Sequence, residues 1–159
     1  MSPYNEAMSK EREFDIVIAG GGMVGTSLAR LLADIGTGSK PCRIALLDRV
    51  AFEPDKTLFH VQPGRYDPRV SALTQASKAL FSELKIWRYI ADMRQCPYGE
   101  MHVWDAEGTG SIQFRAHEVH QSDLGSIVEN SVISSALYQG LKEQSNLTYF
   151  APFNLTSVK

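Results

Sequence analysis

The sequence predicts an α/β protein built around a Rossmann-like βαβ unit, and three observations carry that expectation. A short apolar run, Ile16-Val-Ile-Ala19, breaks into Gly20-Gly-Gly-Met-Val-Gly25. A helix-period stripe follows at Val24, Leu28, Leu31, Leu32 and Ile35. A second apolar run, Ile44-Ala-Leu-Leu47, ends in Asp48, 23 residues beyond Gly25. Strand, glycine turn, helix and strand, in that order, are what a dinucleotide-binding turn requires.

Each residue of the turn has a physical task. Gly20 permits the tight bend, Gly22 lets the backbone approach a pyrophosphate, and Gly25 lets the helix pack closely on the strand. Met23 lies inside the same turn, at the head of the expected helix. The exposed N–H groups and positive end of that helix would receive the diphosphate. Asp48 has the charge and spacing of a ribose-binding acid, which also repels a 2′-phosphate. The alternative for Asp48 is a strand-end carboxylate that caps a turn.

Gly36 and Gly38 supply the helix stop. Residues 1–12 are polar and charged and read as a loose tail. From Val50 to Arg69 the chain is irregular, broken by Pro54, Pro63, Gly64 and Pro68. Ser71 to Leu84 reads as a helix with Leu73, Ala76, Leu80, Phe81 and Leu84 on one face, and Ile86 to Met93 as a second, shorter one. Met101–Asp105 and Ser111–Arg115 alternate around a Gly108/Gly110 turn, the pattern of a hairpin. Residues 116–130 read as loop, Ser131 to Lys142 as a helix, and Leu147 to Phe150 as a last strand. These elements do not close a sheet of their own, so the sequence reads as the front portion of something longer.

Composition excludes several classes. Sixteen basic and eighteen acidic residues leave a net charge of −2, which argues against a nucleic-acid partner. The first twelve residues lack an apolar core of the secretory kind, and no apolar run approaches the roughly 20 residues of a membrane span. Cys42 and Cys96 form no paired motif and read as buried small hydrophobes in a reducing compartment. His117 and His120 bracket Glu118 without a third ligand at useful spacing, so a metal site is not expected. A nucleophile elbow and a phosphate loop are both missing, against a hydrolase or NTPase. Trp87, Tyr89, Tyr98 and Trp104 read first as core and only second as a substrate wall.

Three segments together carry a family resemblance: Gly20-Gly-Gly-Met-Val-Gly25, Asp67-Pro-Arg-Val-Ser-Ala-Leu73 and Gly125-Ser-Ile-Val-Glu-Asn130. They resemble the flavin-dependent aromatic hydroxylases of ubiquinone biosynthesis, within the para-hydroxybenzoate-hydroxylase-like FAD monooxygenases. Residues 93–98 and 103–105 fit the same family, and the likeness covers about residues 14–155. It implies that Gly20, Gly22, Met23 and Gly25 surround the FAD pyrophosphate and that Asp48 binds the adenosine ribose. Many relatives carry Glu at the position of Asp48. It implies that Arg69 reaches back to the cofactor, a role suited to a guanidinium that bridges phosphate or ribitol oxygens. The alternative for Arg69 is a surface salt bridge. Asn130 falls where relatives place a flavin-contacting polar residue; its alternative is an ordinary helix cap.

The resemblance further implies residues 13–159 as the N-terminal part of an FAD-binding monooxygenase domain, with about 98–120 contributing to a substrate-side sheet. NAD(P)H would reduce FAD, and O₂ would supply one atom to a polyprenyl phenol or quinol ring; the cofactor does the hard chemistry, and no catalytic side chain is named. Partners implied are the prenylated substrate and other ubiquinone-pathway enzymes, at a cytoplasmic location peripheral to the membrane's inner face. The family's later Asp-Gly and Gly-Asp-Ala motifs lie beyond the point where this sequence stops, so activity from these residues alone is not expected. Two alternatives stand beside this reading. One is an NAD(P)-dependent dehydrogenase, in which Arg49 contacts a 2′-phosphate; the other is a non-catalytic nucleotide-binding module.

Overall fold

A computed structural model describes residues 13–37, 40–53 and 64–157. Its strands in chain order are β1 (Ile16–Ala19), β2 (Gly36–Thr37), β3 (Lys40–Pro41), β4 (Ile44–Leu47), β5 (Val70–Thr74), β6 (Cys96–Tyr98), β7 (Glu100–Trp104), β8 (Ser111–Arg115), β9 (Gly125–Glu129) and β10 (Leu147–Phe150). Its helices are α1 (Met23–Ala33), α2 (Gln75–Glu83), α3 (Trp87–Met93) and α4 (Asn130–Lys142). The chain divides into two units, residues 1–52 with 141–159, and residues 53–140.

The first unit is a parallel sheet in the order β1-β4-β10. β4 is its centre, pairing Ile44 with Ile16 on one side and with Leu147 on the other. All four β4 residues are buried, as expected of a central parallel strand whose side chains are apolar on both faces. Asn146 ties the unit together, its side-chain amide donating to the carbonyls of Ala33 (3.0 Å) and Cys42 (2.9 Å).

The apolar stripe of α1 lies on the side of the helix opposite to its buried face. Thr26, Ala29, Arg30 and Ala33 are buried, whereas Val24 is 84% exposed, and Leu28, Leu31 and Ile35 are exposed as well. Small residues let the helix approach the sheet closely, so packing follows Ala29 and Ala33 rather than the bulkier stripe. Arg30 is accommodated by an ion pair to Asp34 at 2.8 Å.

The second unit holds an antiparallel sheet in the order β5-β9-β6, and the separate hairpin β7–β8. Here the structure corrects two expectations. Residues 70–74 are a strand, not the start of a helix, because each pairs with a residue of β9 from Val70–Glu129 to Thr74–Gly125. The helix begins only at Gln75, capped by Thr74, whose hydroxyl accepts from the Ser77 amide. The 116–130 segment is not all loop: residues 125–129 form the central strand of this sheet, and Ala116–Val119 is a single 3₁₀ turn.

Smaller corrections follow from exposure. Cys42 is buried but Cys96 is exposed, since β6 is an edge strand. Trp104 is 67% exposed and is not core, whereas Trp87, Tyr89 and Tyr98 are half-buried. Residues 1–12 and the proline-broken stretch 54–63 lie outside the described residues.

Candidate functional site

The expected glycine turn forms at the carboxyl ends of β1 and β4, where open α/β sheets bind ligands. Gly20 has φ +108°, a conformation that side-chain-bearing residues rarely adopt. A Cβ on Gly25 would stand 1.9 Å from the Gly20 carbonyl oxygen, so helix and strand meet at a distance only glycine allows. An added Cβ on Gly22 would meet nothing within 4 Å. Gly22 also heads α1 without a side-chain cap, and the first turn holds no acidic residue. Uncapped N–H groups and the positive end of the helix dipole are therefore open to an anion there. Met23 is the first residue of the helix.

Asp48 does more than its spacing suggested. Its Oδ2 accepts from the Gly21 amide at 2.5 Å and its Oδ1 from the Val50 amide at 2.9 Å. The carboxylate thus pins the glycine loop to the end of β4 and still has lone pairs for a hydroxyl donor. Gly21, the unremarked middle glycine, is the residue this contact demands: a Cβ there would lie 2.9 Å from Asp48 Oδ2. A cavity of about 350 Å³ adjoins the loop, lined by Ala19, Gly20, Leu47, Asp48, Arg49, Phe153 and Leu155. Phe153 is held there by its amide, which donates to the Asp48 carbonyl at 2.7 Å. Nothing in the sequence signals Phe153 or Leu155, because only the path of the chain after β10 brings them to the turn.

Arg69 and Asn130 are brought together in the second unit. The Asn130 amide donates to the Arg69 carbonyl at 3.0 Å, and Asn130 Oδ1 accepts from the Ser71 hydroxyl at 2.7 Å. The Arg69 side chain is 80% exposed, with its Nε 3.8 Å from Asp67. Asn130 is the first residue of α4 rather than its cap, its Oδ1 being engaged by Ser71, and the Ser131 amide at this helix start is taken by Asp67 Oδ2 at 3.2 Å.

Burial raises the Asp67 carboxyl, but the amides of Arg69 and Ser131 and the Arg69 charge outweigh it and hold the group below the ordinary carboxylate range. A depressed folded value contributes stability above the unfolded pKa of about 3.9, and that stability is lost as pH falls through the lower folded value. Asp123, beside Lys78 at 2.9 Å, is lowered too and adds to the same trend. The denaturation midpoint is expected to drop as pH is taken from 5 towards 2 and to be level between 5 and 7. A midpoint indifferent to acid would contradict this account of the Asp67 contacts.

Among the described residues, no group of three His, Cys, Asp or Glu side chains could hold a metal ion, and no helix is long and apolar enough to cross a membrane.

No protein-family model matches the chain. It is 37% identical over 134 residues to the mitochondrial ubiquinone biosynthesis monooxygenase COQ6 of Drosophila melanogaster, covering 84% of this chain and 27% of the relative. It is 34% identical over 144 residues to 3-demethoxyubiquinol 3-hydroxylase of Escherichia coli, covering 91% of this chain and 34% of the relative. The chain therefore spans about a third or less of the length of these relatives. Among solved structures, PqsL of Pseudomonas aeruginosa is similar over 93% of this chain and 35% of its own, with a TM-score of 0.65 and 13% identity. The p-nitrophenol 4-monooxygenase PnpA of Pseudomonas putida matches 84% of this chain and 30% of its own at a TM-score of 0.55 and 14% identity. At such identities these two likenesses speak for the fold alone.

Proposed function

Since the chain belongs to the ubiquinone-biosynthesis FAD monooxygenases, as a stretch covering 27–34% of their length, we propose that it provides the dinucleotide-binding portion of such an enzyme. The observation that carries this reading is the turn itself, which leaves Gly22 and the uncapped head of α1 open while Asp48 fixes Gly21 from behind.

These residues fit the ADP half of FAD. The amides at Gly22 and Met23 would take the pyrophosphate, because backbone donors at a helix N-terminus suit two adjacent negative charges. The remaining lone pairs of Asp48 would accept from the ribose hydroxyls. The ring of Phe153 and the side chain of Leu155 offer an apolar wall for the adenine in the adjoining cavity. Arg69 and Asn130 are assigned to the flavin side of the cofactor through the family resemblance; the exposed guanidinium has donors for phosphate or ribitol oxygens. When bound, FAD supplies the redox chemistry, accepting electrons from NAD(P)H and activating O₂ for insertion of one oxygen atom. The part left to this chain is to bind, orient and hold the cofactor, and none of its side chains is assigned as an acid, base or nucleophile. The reaction of the whole enzyme would be hydroxylation of a polyprenyl phenol or quinol ring, at a membrane surface that gives access to the prenyl tail.

Titration with FAD, followed by quenching of flavin fluorescence, is expected to saturate. Asp48→Ala is expected to weaken binding by roughly 10-fold or more, since it removes both the ribose acceptor and the anchor of Gly21. An affinity equal to that of the wild type would remove Asp48 from the site.

A further inference from the structure

We infer that Asp67 is a positioning residue for the Arg69–Asn130 pair, acting with Glu129 and Arg94 as one buried clamp. The inference rests on the reading of Arg69 and Asn130 as FAD ligands and goes beyond it by naming what sets their geometry.

Asp67 is only 3% exposed and Glu129 only 5%. Two carboxylates so deeply placed are costly unless every oxygen is engaged. Here both are. Asp67 Oδ1 accepts from the Arg69 amide at 2.9 Å and Oδ2 from the Ser131 amide at 3.2 Å. The Asp67 amide in turn donates to Glu129 Oε2 at 2.8 Å. The other Glu129 oxygen takes Arg94, whose Nε and Nη2 both lie 2.6 Å from it. Arg94 Nη2 also donates to the Arg65 carbonyl at 2.9 Å, and its guanidinium carbon sits 4.3 Å from the centroid of the Tyr66 ring.

The consequence lies in which residues the clamp grips. One arm of Asp67 holds the amide of Arg69, and the other holds the amide of the residue after Asn130. Glu129 is the residue before Asn130, and Asn130 itself is bonded to the Arg69 carbonyl. The carboxylate therefore sets the entry to β5 and the start of α4 relative to each other. Among the described residues, this network leaves the Arg69 guanidinium, beyond its weak approach to Asp67, and the Asn130 side-chain NH₂ with donors to give, along with the buried Ser131 hydroxyl. A cap alone would be met by Ser or Asn. Two amides from separate segments call for two acceptor oxygens on one side chain, which an ionised Asp has and Asn lacks.

The test is a double-mutant cycle on FAD affinity in the full chain, joined to hydrogen exchange without FAD. Asp67→Asn and Arg69→Ala are each expected to weaken FAD by about 10-fold, and the double variant to lose several-fold less than the product of the two, because Asp67 acts in part through Arg69 and in part through Asn130. Exchange at the Arg69 and Ser131 amides is expected to quicken at least about 10-fold in Asp67→Asn, while that at Val128 is unchanged. Should Asp67→Asn not fold, Glu129→Gln keeps an oxygen for the Asp67 amide but loses the charge facing Arg94. It is expected to quicken the same two amides by a smaller factor.

Unchanged exchange in the folded variant overturns the inference whether or not FAD binds, as does a double variant whose loss is the product of the single ones. If Arg69→Ala leaves FAD affinity untouched while exchange behaves as expected, the cofactor role of Arg69 fails and the clamp stands.

Discussion

Gly22→Val is expected to fold like the wild type and to lose nucleotide binding by roughly 100-fold or more, equivalent to about 2.7 kcal/mol. The two halves of that result have separate causes. The backbone at Gly22 has φ −71° and ψ −179°, ordinary extended values that valine adopts readily. An added Cβ meets no protein atom within 4 Å, so the fold has no reason to object. The space it enters is the space above the open head of α1, where a pyrophosphate would seat. Melting temperature and FAD titration on the same sample check both halves. Wild-type affinity in the folded variant would remove the turn from the binding site.

Gly25→Ala is expected to fail in the opposite way, by damaging the fold first. The new methyl would stand 1.9 Å from the Gly20 carbonyl oxygen, 3.1 Å from its carbon and 3.5 Å from Ile18 Cγ2. Two of those atoms are backbone in a turn already committed to φ +108° at Gly20, so relief requires β1 and α1 to separate. Overpacking of this kind costs about 3 kcal/mol or more, read as a fall in denaturant midpoint, with nucleotide affinity falling as the turn opens. A variant as stable as the wild type would mean that the approach of helix to strand is looser than described. The pair of substitutions, three residues apart, thus separates a glycine required by a ligand from one required by packing.

The β1–α1–β4 unit was legible because its signals are local. A buried parallel strand writes a continuous apolar run, and the glycine turn is written in six consecutive residues. What the sequence did not reveal depends on partners far along the chain. Ser71–Thr74 looks helical when read with the residues after it, and the strand Val70–Thr74 forms there through pairing with residues 125–129, some 55 positions away. β9 itself is short and carries Gly125 and Ser126, so its strand identity comes from lying between β5 and β6 rather than from its own pattern. β6 contains Pro97, which an edge strand tolerates and a central one does not. The bond from the Asp67 backbone amide to the Glu129 carboxylate spans 62 residues, and both residues are charged ones that periodicity would place on the surface. The exposed stripe of α1 shows a different limit: periodicity located the helix, but its buried face is the one with Thr26, Ala29 and Ala33.

The candidate site divides along the same line. Gly20, Gly22, Met23, Gly25 and Asp48 were found from spacing, and the structure gathers them at one end of one sheet. Gly21 was hidden as the variable position of the motif, although its amide is the one Asp48 holds. Phe153 and Leu155 left no trace in the sequence. Arg69 and Asn130 were named through resemblance, and the contacts between them, through Ser71 and Asp67, come only from the three-dimensional arrangement.

The most direct measurement is a side-by-side titration of the purified chain with FAD, NADH and NADPH under one buffer and salt condition. The account predicts saturable binding of FAD, with the nicotinamide nucleotides at least about 10-fold weaker. Preferential binding of NADH or NADPH, or no saturation by FAD, would contradict it.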